Sequence, residues 1–141
     1  MNKYHAKRCE FEGIKFASKG EMHCYQNLRF LEKAGYLKDI ECHVIVNLVA
    51  GIGHKTDFRF YDVKCQTLVY AEFKGMKTDR WRLIKKLWKV FGPAELRVYV
   101  EKNGYQILDE VIFPSEIPNF LIPPACPHCK KIDQDRKVYS Q

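Results

Sequence analysis

No apolar run among the 141 residues approaches the roughly 20 that a bilayer-spanning helix needs. The polar first residues also lack the apolar core of a secretory leader. Both absences point to a cytoplasmic protein, where the six cysteines stay reduced. Internal repeats and low-complexity tracts are missing too, and the length suits one domain with a real core. Cys126-Pro127-His128-Cys129 has no second Cys-X-X-Cys to complete it. A four-ligand Zn²⁺ site at Cys126 and Cys129 would need Cys9, His5 or another distant ligand, or a second copy of the chain. The alternative is a metal-free turn. Gly51-Ile52-Gly53 lacks the remaining Gly/Lys pattern of a phosphate cradle and precedes a strand, so nucleotide binding is discounted. No Cys–His pair suits a nucleophile either. His43 adjoins Cys42 in a β-rich segment, and alternation sends the two to opposite faces; Cys24, Cys42 and Cys65 read as small buried hydrophobes.

What is present is apolar content of a globular kind (46%) and a concentrated positive charge. Lys and Arg number 24 against 17 acids, a net charge of +7. Between Lys74 and Lys89 stand Lys74, Lys77, Arg80, Arg82, Lys85, Lys86 and Lys89 against the single acid Asp79. A stripe of one sign favours a polyanion, nucleic acid most commonly.

Local signals set out an order of elements. Two short β-like pieces flank Gly13. Ser18 followed by Glu21 is a capping-box pattern, predicting a helix from Lys19 to Lys33 that Gly35 ends. Residues 40–49 are β-rich, with Val44, Val46 and Leu48 on one face. A loop over 50–56 leads to strands over 57–61 and 68–74. Thr78 starts a second helix that Phe91-Gly92-Pro93 stops. Its apolar arc of Trp81, Ile84, Leu87, Trp88 and Phe91 faces the sheet, and Arg82, Lys86 and Lys89 face outward. Asn103-Gly104 joins strands over 95–101 and 105–113. The expected class is α/β, a mixed central sheet flanked by helices in α-β-β-β-α-β order. The domain covers 1–113, and an irregular Pro-rich tail covers 114–141.

Charged groups sit at the ends of two strands that otherwise read as buried. A turn centred on Lys64 and Cys65 places Asp57 directly opposite Glu72, and alternation puts Lys74 on the face of Glu72. Carboxylates brought together repel unless a cation or a proton lies between them, and a divalent metal is the economical partner. Glu21, on the core-facing side of the first helix, reads as a fourth member of this group, as a capping glutamate bonded to its own N-cap amide, or as both. An inert buried salt bridge is the alternative for Glu72, Asp57 and Lys74, though burying three charges for stability alone is seldom favourable. His54 reads as a loop residue near Asp57, with DNA contact as its one foreseeable role.

Glu21, Asp57, Glu72-Phe73-Lys74 and the order of elements resemble the PD-(D/E)XK nuclease superfamily. Lys3-Tyr4, Gly13 to Glu21, Asp57-Phe58, Glu72 to Gly75 and Arg82 to Lys85 are similar to a small phage- and prophage-encoded branch of it, some of whose members are Holliday-junction resolvases. The resemblance covers roughly residues 3–100. Thr56 stands where the nominal motif has proline.

The resemblance implies a restriction-endonuclease-like core and a metal-dependent DNA endonuclease acting on branched or junction DNA. Glu21, Asp57, Glu72 and the Phe73 backbone carbonyl would hold Mg²⁺ or Mn²⁺, hard ions suited to oxygen donors. Lys74 would position water and phosphate. Lys19, Lys77, Arg80, Arg82, Lys85, Lys86 and Lys89 would contact DNA phosphates, joined by Lys15 and Arg59, and a two-fold dimer would suit a symmetric junction. The rival readings are a non-catalytic, structure-selective DNA-binding protein on the same scaffold and an RNA-directed nuclease.

Overall fold

The computed structural model describes residues 7–114. The chain opens with a hairpin, β1 (Cys9–Phe11) and β2 (Ile14–Phe16), turned on Glu12 and Gly13 in left-handed conformations. Helix α1 (Lys19–Lys33) follows, with Ser18 as N-cap accepting from the Glu21 amide. Strands β3 (Leu37–Val49), β4 (Ile52–Asp62) and β5 (Thr67–Phe73) come next, then α2 (Asp79–Phe91), β6 (Glu95–Lys102) and β7 (Tyr105–Ile112). The five long strands form one open sheet in the order β3-β4-β5-β6-β7, antiparallel except where β5 and β6 run parallel across the α2 connection. This is a mixed α/β architecture with helices on both faces of the sheet. No described helix is long and apolar enough to cross a membrane.

Two cores follow from alternation along the central strands. Val69 and Ala71 of β5 join Phe58 and Phe60 of β4 in a cluster under Cys24, Tyr25 and Leu28 of α1. Tyr70 points the other way, joining Leu96 and Val98 under Trp81, Ile84 and Trp88 of α2. Trp88 is fully buried and its indole N–H donates to the Ala94 carbonyl at 2.8 Å; truncating a core tryptophan costs about 3–5 kcal/mol. Phe91, expected in the buried arc, is the last residue of α2 and is 43% exposed.

Two boundaries differ from the sequence expectation. The 50–56 loop is only a tight turn at Ala50 and Gly51, both left-handed, and β4 begins at Ile52. Strand β3 begins at Leu37 rather than at residue 40. The hairpin they form changes layers part-way along. Ile40 and Cys42 pack on the α1 core, whereas Val44, Val46 and Leu48 pack on the α2 core. All five are even-numbered, so a regular strand would keep them on one face. The change falls at His43, whose φ is 57°. β4 turns with it: Phe58 and Phe60 lie in the α1 core, while His54 meets Trp81 of α2 at 6.3 Å between ring centres.

Candidate functional site

That crossing positions the site. The ladder between β3 and β4 runs through Cys42–Phe58 and Val44–Thr56, which sets His43 opposite Asp57. The β4–β5 ladder reaches Phe58–Ala71, and one step further the same register sets Asp57 against Glu72. The register expected from the Lys64–Cys65 turn is therefore the one adopted. Asp57 stands where the hairpin passes from one layer to the other, within reach of groups on both faces.

From the α2 side come Glu72 and Lys74. Glu72 is 2% exposed. Its Oε1 accepts from Lys74 Nζ at 2.7 Å and its Oε2 lies 2.8 Å from His54 Nε2. Lys74 Nζ also sits 4.5 Å from the centre of the buried Trp81 ring, a favourable place for a cation. From the α1 side comes Glu21, 5% exposed. Its Oε2 accepts from the Ala17 amide at 3.0 Å, and its Oε1 lies 3.0 Å from His43 Nε2. The bond expected from Glu21 to the N-cap amide of Ser18 is not the one made; its side chain accepts from Ala17, one residue earlier, and its second oxygen faces the sheet. Asp57 Oδ2 accepts from the Phe73 amide at 2.8 Å.

Gly20 makes this approach feasible. A Cβ there would overlap the Phe73 ring edge. Its absence lets the first turn of α1 settle on Phe73 at the end of β5.

The electrostatics of the site centre on Asp57. Burial raises the proton affinity of Asp57 well above the ordinary carboxylate range, and Glu72 and Glu21 raise it further. The Phe73 N–H and Lys74 oppose that shift without cancelling it. The Cys42 thiol is pushed up to about 11 by burial and then by Glu21 and Asp57.

Among the described residues no three His, Cys, Asp or Glu side chains form a ready-made metal-binding group. Glu72 and Glu21 have protein donors on both oxygens. In kind, though, three carboxylates whose mutual repulsion falls on Asp57 are a donor set that fits a hard divalent ion. Each oxygen carries two lone pairs, so a donor already in place leaves room for a cation.

Sequence reasoning missed both histidines. His54 reads from the sequence as a loop residue, whereas it lies on β4 against Glu72. His43 carried no signal at all, because its ring reaches Glu21 only through the left-handed turn of the strand. The basic stripe also differs from expectation. Lys77 pairs with Asp109 at 2.8 Å, Lys85 with Glu110 at 2.6 Å and Arg82 with Asp79 at 2.7 Å. Two of those acids belong to β7, distant in sequence. Arg59 pairs with Glu41 at 2.6 Å. Lys15, Lys19, Arg80, Lys86 and Lys89 are exposed. The Cys126 and Cys129 knuckle and the apolar tail lie outside the described residues.

The fold and site therefore define an α/β protein with an open mixed sheet and a buried acidic cluster at the layer crossing. The profile of the family described as protein of unknown function (DUF1064) matches residues 1–102, and the chain belongs to that family. The match takes in all the residues of the cluster and stops at the end of β6. No curated protein and no solved structure matches the chain.

Proposed function

We propose that the chain is a divalent-metal-dependent DNA endonuclease of the PD-(D/E)XK type, with a restriction-endonuclease-like core, hydrolysing phosphodiester bonds in branched DNA. One observation carries this reading: the Asp57 carboxyl, raised first by burial, is raised further by both Glu72 and Glu21, which come from opposite layers, and lowered by Lys74. The order α1, β3, β4, β5, α2, β6 supports it as well. Mg²⁺ or Mn²⁺ held by Asp57, Glu72, Glu21 and the Phe73 carbonyl would lower the pKa of a bound water and offset charge on the phosphate. Lys74, braced by Glu72 and Trp81, orients the attacking water and takes up negative charge as the phosphate becomes five-coordinate. Exposed Lys15, Lys19, Arg80, Lys86 and Lys89 supply phosphate contacts, which position a duplex without reading its sequence. A two-fold dimer would suit a symmetric junction.

A second reading is favoured by a different observation. Both oxygens of Glu72 and of Glu21 are already satisfied by the protein, as in a non-catalytic DNA-binding protein on this scaffold. Labelled junction, flap, single-stranded and duplex DNA, with RNA as competitor, separates these readings. Mg²⁺-dependent cleavage of branched DNA is expected, and Asp57→Ala or Lys74→Ala should abolish it while DNA binding survives. Binding without cleavage by the wild-type chain would leave the second reading standing, and preferential cleavage of the RNA would move the activity to an RNA-directed nuclease.

A further inference from the structure

We propose that His43 and His54 are positioning residues: their imidazoles orient Glu21 and Glu72 toward a common divalent ion, and the strained backbone of His43 is retained for that purpose. This rests on the metal-dependent reading above. The two contacts are alike. His43 Nε2 lies 3.0 Å from Glu21 Oε1, and His54 Nε2 lies 2.8 Å from Glu72 Oε2. A carboxylate oxygen accepts, so Nε2 is the nitrogen that carries hydrogen in each ring. A donor on one lone pair fixes the rotation of the carboxylate and leaves the other lone pair for a cation. Groups that orient metal ligands in this way are commonly worth 10–100-fold in metal affinity.

The backbone supplies the independent observation. His43 has φ 57° in mid-strand, a region that costs a residue with a Cβ about 1–2 kcal/mol. If only the turn of the strand mattered, glycine or asparagine would adopt it at lower cost. Neither could reach Glu21 as the imidazole does. Asp39, earlier on the same strand, adopts the same region; what sets His43 apart is that its ring meets a buried carboxylate.

Titrating Mn²⁺ into the metal-free chain by calorimetry, beside thermal melts in EDTA that check folding, tests the positioning role. His43→Asn, with His43→Gly as second variant, should still unfold cooperatively yet bind Mn²⁺ about tenfold more weakly. His54→Ala should lose a similar factor, and His54→Gln, which restores an N–H donor, should recover most of it. Wild-type Mn²⁺ affinity in His43→Asn and His54→Ala, with binding lost in Asp57→Ala, overturns the positioning role alone. Loss of cooperative unfolding in both His43 variants also overturns it, since the histidine would then serve the fold. No Mn²⁺ binding by the wild-type chain overturns this inference together with the endonuclease reading.

Discussion

Removing the charge of Asp57 should stabilise the metal-free protein, although it removes a residue placed at the centre of the site. Carried one step past its last pair, Phe58–Ala71, the β4–β5 register sets Asp57 against Glu72, and side chains directly opposite stand roughly 5 Å apart. At an effective dielectric constant of about 20, two unit charges at that distance repel by about 3 kcal/mol. Lys74 and the Phe73 amide offset part of this, leaving a net gain of about 1–2 kcal/mol for Asp57→Asn, whose carbonyl still accepts from Phe73. The sign with pH follows from the raised proton affinity. Between the ordinary carboxylate value of 3.8 and the higher folded value, the native state holds a proton that the unfolded chain does not. Wild-type stability therefore falls as pH rises through that window. Above it the penalty is complete, and below 3.8 it vanishes. Urea unfolding in EDTA should show Asp57→Asn more stable at pH 7, with the advantage shrinking on acidification. A divalent ion at ten times its Kd adds about 1.4 kcal/mol to the wild type and little to the variant. A variant less stable than wild type at pH 7 without metal would refute the repulsion argument.

Gly20→Ala forces a methyl group against Phe73; overpacking outweighs the better helix propensity of alanine, for a loss of about 1–2 kcal/mol in urea unfolding and weaker Mn²⁺ binding. Arg80→Ala and Lys86→Ala should each reduce the slope of log affinity against log salt by about one for DNA, whereas Lys77→Ala, already paired with Asp109, should change it less. At the far end of the sheet, buried Arg97 is held by Asp62 at 2.8 Å and Glu95 at 3.2 Å. Asp62→Ala leaves that guanidinium half-compensated and should cost about 3 kcal/mol at pH 7. Burial raises the Asp62 carboxyl, but the Cys65 amide and Arg97 outweigh it and leave it below the ordinary range. Its stabilisation is present above the ordinary carboxylate value and is lost as pH falls through the lowered one, so variant and wild type should converge in acid.

The sequence by itself determined whatever depends on neighbours in the chain. Ser18 and Thr78 cap the helices because their hydroxyls accept amides three residues on. Asn103 and Gly104 turn the last hairpin because both adopt positive φ. The length of the loop after Asp62 set the register of Asp57 against Glu72, since antiparallel pairing counts outward from the turn. Tertiary structure alone decided which side chains meet across layers. His43 reaches Glu21 over 22 residues and His54 reaches Glu72 over 18, and Asp109 and Glu110 neutralise part of a helix more than 20 residues away. No period in the sequence encodes those meetings. They depend on a left-handed residue that turns one hairpin from layer to layer, and on the missing Cβ of Gly20 that lets a helix end settle on Phe73.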